Sequence, residues 1–265
     1  MPNTELIKAA NETVRLSMLA GEVMLKNGAE TYRVEDTMKR VLQNCGYEDA
    51  EAFVTTTGLF ACVTADNIGA VTQVRRVKGR TINYDKVAKV NDLSRAIASG
   101  DVTVAEATAR LNSITAAPLN SPFIRIFAAG VASAAFAYIL RGGYEDCLNA
   151  FFTGLMLHVL IIPMRKSVPS VLVNILGGAL ISFLSLLLLN LGIGTEGNLD
   201  KIIIGSLMPM LPGVALTNAI RDVIEGDYIS GSSQFIEAVI IAIALAVGIG
   251  TVLMFWMSQF GGFII

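Results

Sequence analysis

Apolar residues recur at helical spacing from Asn3 to Lys26, at Leu6, Ala10, Val14, Met18 and Leu25, and Asn27-Gly28 is a natural stop. A second helix is expected over Tyr32–Asn44, with Val34, Met38, Val41 and Leu42 on its apolar face and Thr31 as its N-cap. The period then changes. Ala52–Thr57, Leu59–Ala65 and Ala70–Val77 are rich in Val, Thr and Phe and are separated by Gly58 and by Asp66-Asn67-Ile68-Gly69, which predicts three short antiparallel strands. Two more amphipathic helices follow over Tyr84–Ala98 and Thr103–Ala116. Beyond Pro118 and Pro122 the pattern turns into long apolar runs. Five lie near the ~20 residues that cross a bilayer core: Phe123–Leu140, Cys147–Met164, Val168–Leu191, Ile202–Ile220 and Phe235–Met257. The expected fold is therefore a small α+β domain, residues 1–118, followed by an α-helical integral membrane domain, residues 119–265, with five spans of which one is broken.

Charge sharpens this division. Residues 1–118 hold 14 Lys/Arg and 14 Asp/Glu, whereas residues 119–265 hold only 6 and 8. The net charge of −2 speaks against a nucleic-acid partner. Cys45, Cys62 and Cys147 have neither disulfide nor zinc spacing, and Met1–Glu12 has no apolar signal core. These features lead us to expect a cytoplasmic N-terminal domain in a multi-pass protein of the cell membrane. Arg165-Lys166 would then lie inside, Thr195–Asp200 outside and the C-terminus outside, with Arg141 and Lys201 as exceptions to the positive-inside rule. Gly130/Ala134, Gly178/Ser182 and Ala242/Ala246/Gly250 sit four apart and would allow close helix contact.

Chemistry concentrates around the fourth run. Pro209, Pro212 and Gly213 interrupt it, because each proline removes a backbone donor and clashes with the preceding turn. Thr217, Asn218, Arg221, Asp222, Glu225 and Asp227 follow at once, and Ala215, Asn218, Asp222 and Glu225 share one helix face. A broken helix that feeds a polar stripe is how transporters expose ligands within a bilayer. The competing reading is a kinked helix that runs into a solvated loop. Asp222 lies one turn after Asn218, and partial dehydration there would favour its protonated form, the condition for a proton-coupling site. His158, the only histidine, lies within the second run and would either relay protons or cap a carbonyl. Asn174 on the third run would touch substrate or bond a neighbouring helix. Arg75, Arg76, Lys78 and Arg80 form a basic cluster that reads as an anion site or as a solvated turn. No metal-ligand cluster, P-loop or nucleophile elbow is present, so neither metal nor cofactor is expected.

Three stretches resemble the threonine/serine exporter (ThrE/YjjP-type) family. They are Gly28-Ala29-Glu30-Thr31-Tyr32-Arg33-Val34-Glu35, the run Arg80-Thr81-Ile82-Asn83-Tyr84-Asp85-Lys86-Val87-Ala88-Lys89-Val90, and the run from Pro212-Gly213-Val214-Ala215-Leu216-Thr217-Asn218 through Arg221-Asp222 to Glu225-Gly226-Asp227, with Gly231 beyond. The resemblance implies export of small metabolites, hydroxy amino acids in some members and dicarboxylates such as succinate in others. It also implies a second membrane unit, fused in some members and separate in others, and this chain looks like the larger half of such a split pair. The partner would be a smaller membrane subunit of the family, or a second copy of the chain in its place. Because five spans is an odd number, a homologous unit of equal span count continuing in series would be inverted and would form an inverted repeat with its substrate site at the interface. A secondary transporter subunit is thus the leading reading, driven by protons or by simple efflux. A sensor or scaffold subunit and an intramembrane enzyme remain as alternatives, the last lacking a nucleophile–base pair.

Overall fold

A computed structural model describes residues 4–66, 68–118, 121–165, 167–194 and 198–260. By internal contacts it divides into two units, Met1–Pro118 with Val214–Phe235, and Leu119–Gly213 with Ile236–Ile265. The boundary expected at 118/119 falls beside Leu119 and Asn120, which lie outside the described residues. Val214–Phe235, which the linear division places with the spans, packs with the first unit.

In the first unit, helices α1 (Thr4–Lys26) and α2 (Thr31–Asn44) precede strands β1 (Ala50–Thr55), β2 (Gly58–Ala65) and β3 (Gly69–Arg76). Helices α3 (Tyr84–Ala98) and α4 (Val104–Ala116) follow. The strands form an antiparallel meander in the order β1-β2-β3, with Phe53 opposite Phe60 and Phe60 opposite Val74. Val54, Leu59, Ala61, Val63 and Val71 point to the buried face, and those three cross-strand partners point outward. Helix α1 is the axis of this unit and packs against α2, α3, α4, β2 and β3. Leu16, Met18, Met24, Leu25, Met38 and Leu42 are essentially fully buried around it, each worth roughly 1.5–3 kcal/mol of burial. Thr103 caps α4 in a reciprocal capping box with Glu106. Thr31, expected as the cap of α2, is instead its first residue. Glu30 takes the cap position without a side-chain capping bond, and the Thr31 hydroxyl is engaged with Asp227.

The second unit holds α5 (Pro122–Ile139), α6 (Tyr144–Met164), α7 (Ser170–Asn190) and α8 (Leu199–Leu207), then a 3-10 turn at Met208–Met210. Helix α9 (Gly213–Ile224) starts at its boundary, and most of α10 (Tyr228–Phe260) completes it. Among the described residues, four helices are long and apolar enough to cross a membrane, and the bent pair Leu199–Met210 with Gly213–Ile224 makes a fifth if counted as one span. The loop readings at Lys166 and at Thr195-Glu196-Gly197 fall outside the described residues, as does the chain end at 261–265. Helix α5 shows the inside-out pattern that lipid favours. Ala129, Gly130, Ser133 and Ala137 are buried, while Phe123, Ile124, Phe127 and Ile139 face outward. The 3-10 turn lies against Gly177 and within an apolar cluster of Leu157, Ile161, Val173, Ile203 and Met210. Protein thus covers Met210 of the turn, whereas Pro209 and Pro212 are half-buried and Gly213 is exposed with open space beside it.

Glycines set the helix crossings. An added Cβ at Gly178 would overlap the Leu245 carbonyl, and one at Gly248 the Ile175 carbonyl, so α7 and α10 meet backbone to backbone. Gly130 brings α5 against the Phe151 carbonyl and ring of α6, and Gly154 makes room for the Ser133 side chain of α5. Ala242 and Ala246 of the expected stripe are exposed, and Gly250 has open space. The contact face of α10 is therefore that of Leu245 and Gly248, and the Gly130 and Gly178 expectations hold. Gly178→Leu or Gly248→Leu is expected to lower the melting temperature in detergent by several degrees, since forced overpacking costs about 1–3 kcal/mol or more. Gly250→Leu should leave it unchanged, and equal melting of all three variants would contradict this crossing.

Candidate functional site

The site is built from two helix ends that close in the same way. Helix α1 ends at Gly28, whose φ of 94° only glycine adopts freely; Ala29 N–H donates to Met24 O at 3.1 Å and Gly28 N–H to Leu25 O at 3.4 Å. Helix α9 ends at Gly226, with φ of 91°; Asp227 N–H donates to Asp222 O at 2.8 Å and Gly226 N–H to Val223 O at 3.1 Å. Both ends thereby satisfy carbonyls that a helix C-terminus leaves open. Asp227 then caps α10, its Oδ1 accepting from Ser230 N–H at 3.2 Å. At Gly231 an added Cβ would overlap the Val223 side chain and lie 2.9 Å from Ala219 O, so α9 and α10 form a tight corner. The segment after β3 closes the other side: Thr81 N–H donates to Lys26 O at 2.8 Å and Asn83 N–H to Asn27 O at 3.0 Å.

These closures bring the three motif stretches together within the first unit. Asn218 Nδ2 donates to Gly28 O at 3.2 Å. Arg221 Nη1 donates to Glu30 Oε1 at 2.6 Å, while Glu30 Oε2 accepts from Arg33 at 3.2 Å. The Thr31 hydroxyl donates to Asp227 Oδ2 at 3.0 Å, and Thr31 also neighbours Asp222, so both aspartates stand by the first turn of α2, where the helix dipole favours negative charge. Gln234 fixes the centre. Its Oε1 accepts from Arg80 Nη2 at 3.0 Å and its Nε2 donates to Asp222 Oδ2 at 2.5 Å, so the two contacts together orient the amide. Asp222 is fully buried, and its Oδ1 has no hydrogen-bond partner among the described residues. Nearby, Glu35 Oε1 accepts from Val54 N–H at 2.7 Å. Burial raises the Glu35 carboxyl above its ordinary range despite that bond, and the charges of Asp227, Asp222 and Glu51 add to the rise.

Of the residues singled out in the sequence, Asn218 and Asp222 share this centre with Ala219 between them. Glu225 is exposed and off the buried face, and Thr217 is exposed with its hydroxyl donating to Val214 O at 3.0 Å. Arg221 turns to Glu30 and not to Asp222, as its position around the helix implies. Pro209 lies in the 3-10 turn, Pro212 follows it and Gly213 opens α9. In the second unit Asn174 is buried on α7, and His158 on α6 places Nδ1 3.0 Å from Gly154 O, a contact that puts its proton on Nδ1. Of the basic cluster, Arg75 pairs with Glu22 at 2.7 Å.

A polar set on α6 escaped the sequence reading. Asp146, Asn149 and Thr153 are all fully buried. Asp146 Oδ2 accepts from Gly143 N–H and from Asn198 Nδ2, each at 2.7 Å, and Asn198 Oδ1 accepts from Lys201 at 2.6 Å. Asn149 Nδ2 donates to Ser185 O at 3.1 Å and Ile193 O at 2.8 Å, and Thr153 donates to Asn149 Oδ1 at 3.1 Å. The hydroxyls of Ser133, Ser182, Ser185 and Ser206 are buried without a partner among the described residues. The available signal was the spacing of three and four from Asp146 to Thr153 within an apolar run.

A family model described as "Putative threonine/serine exporter" matches residues 15–256. The chain is 21% identical over 243 residues to the "Threonine/serine exporter" of Corynebacterium glutamicum, covering 89% of this chain and 50% of that protein. It is 26% identical over 246 residues to the "Probable threonine/serine exporter" of Mycobacterium tuberculosis, covering 91% of this chain and 45% of that one. It is 23% identical over 246 residues to the "Probable succinate transporter subunit YjjP" of Escherichia coli, covering 91% of this chain and 94% of that subunit. The chain thus spans about half the length of the two exporters and nearly all of the subunit. No solved structure matches it significantly. The match runs through all three stretches that meet at Asp222 and Gln234, and the chain belongs to the threonine/serine exporter family.

Proposed function

We propose that this chain is the larger subunit of a secondary transporter that exports small metabolites, either threonine- and serine-like amino acids or dicarboxylates such as succinate. In this reading the proton gradient drives transport, and a smaller membrane subunit of the family, or a second copy of the chain, completes the transporter. The N-terminal domain lies on the cytoplasmic side of the cell membrane. The observation that carries the reading is Asp222, a carboxylate buried in a family motif, with the Gln234 amide on Oδ2, Thr31 beside it, and Oδ1 without a hydrogen-bond partner among the described residues. A buried carboxylate is costly when ionised unless several donors surround it, so uptake and release of a proton suit this position. Asn218 and Thr217 lie beside it in sequence. Pro209, Pro212 and Gly213 supply the open backbone at the helix break, and Asn174 and His158 are further polar groups for a substrate or proton path. The match in length to the succinate transporter subunit supports a separate partner.

Proteoliposomes holding the chain with its smaller partner should accumulate threonine, serine or succinate when a pH gradient is imposed, and the chain alone should do so poorly. Full transport by the purified monomer would remove the need for a partner. Asp222→Asn retains an acceptor oxygen for Gln234 and should fold normally. It should abolish gradient-driven accumulation, by tenfold or more, yet preserve substrate exchange; an unchanged pH profile would exclude Asp222 as the coupling group. The helix break gives a further test. Leu211 is extended, and Gly213 N–H reaches back only to Leu211 O at 2.9 Å, so no helical ladder crosses Pro212. Pro212→Ala with Gly213→Ala should allow a continuous helix and stop transport while protein stays in the membrane. Normal transport by that double variant would reduce the break to a packing kink.

A further inference from the structure

Helices α2 and α3 border a cleft of about 170 Å³ that the transport reading leaves unused. Arg33, Asp36 and Arg40 line it from α2, and Asn91, Ser94 and Arg95 from α3. Three guanidinium groups against one carboxylate leave the cleft cationic. The counter-charges are weakly committed: Asp36 pairs with Arg40 at 2.6 Å, but both side chains are about half exposed, and Arg33 reaches Glu30 at 3.2 Å. Arg95 pairs with no carboxylate among the described residues. Ser94 provides an independent sign of a missing ligand. It is 4% exposed, and its hydroxyl has no hydrogen-bond partner among the described residues. A buried hydroxyl without a partner is uncommon, and an anionic oxygen in the cleft would supply one.

We propose that this cleft binds a small dianion, a phosphate or a short dicarboxylate. Arginine forks suit such ligands because they donate paired N–H groups to two oxygens of one anion. Arg95 and Arg40 supply the opposing charges, and Asn91 and Ser94 supply neutral hydrogen-bonding groups. The volume accommodates either ligand. Arg33 links the cleft to α9, because Glu30, its partner, also accepts from Arg221. An anion that draws Arg33 toward the cleft leaves Glu30 to Arg221 alone, so occupancy bears on the helix that carries Asp222.

The test is isothermal titration of the full chain in detergent with inorganic phosphate, with succinate and with acetate. Saturable binding of phosphate, succinate or both is expected, with acetate at least tenfold weaker. Arg95→Gln removes an exposed side chain that pairs with no carboxylate among the described residues, so the anion-free melting temperature should not change. It should weaken dianion binding at least tenfold, and Ser94→Ala should weaken it severalfold. Succinate binding that survives Arg95→Gln belongs to another site, such as a transport site. Absence of saturable dianion binding, equal binding of acetate, or phosphate affinity untouched by Arg95→Gln would overturn the proposal.

Discussion

One amide side chain organises the corner between α9 and α10. Gln234 is fully buried, holds Arg80 through its oxygen and Asp222 through its nitrogen, and so ties the segment after β3 to the last turns of α9. The remaining contacts follow from that placement. With Asp222 seated, its carbonyl accepts from Asp227, the chain reverses at Gly226, and the Asp227 carboxylate meets both the start of α10 and the Thr31 hydroxyl. An apolar residue at position 234 would leave a guanidinium and a carboxylate facing each other across a hydrophobic gap, a large desolvation cost with little compensation.

The periodic elements were legible because burial imposes its period locally. Helices α1 to α4 and strands β1 to β3 lie within two residues of their expected bounds. Errors arose where a local signal had a distant competitor. Thr31 has the chemistry of an N-cap, but its hydroxyl is claimed by Asp227, 196 residues away. The stripe Ala242/Ala246/Gly250 satisfies a spacing rule, yet any helix rich in small residues offers several such faces, and only the partner helix selects Gly248. The carboxylate at Asp222 and the break at Pro212 were visible as residues out of place in an apolar run. That Gly28, Thr31 and Gln234 surround this centre was not, since nothing in a linear pattern reports which carbonyl an Asn218 amide will reach.

The second unit follows a different rule. Its apolar interior also holds polar groups, with Asp146, Asn149, Thr153 and several serines inside, while Phe123, Ile124 and Phe127 lie outside. In hydrocarbon a polar group cannot find solvent and must find protein, which turns the residues least expected in an apolar run into the ones that point inward. The Asp146–Asn198–Lys201 chain shows the result: a carboxylate that also caps its own helix, joined to the start of α8 through an amide.

The glycine-lined crossings have a mechanical consequence. At Gly178 and Gly248 the closest surfaces of α7 and α10 are backbone, with no side chain on either glycine to seat as a knob. Interlocked side chains resist axial displacement because each must leave its socket before the next can engage. Facing backbones present a shallower relief, so small slides exchange one set of van der Waals contacts for a similar set. The glycine pattern that brings these two backbones together also leaves their points of closest approach free of interlocking side chains.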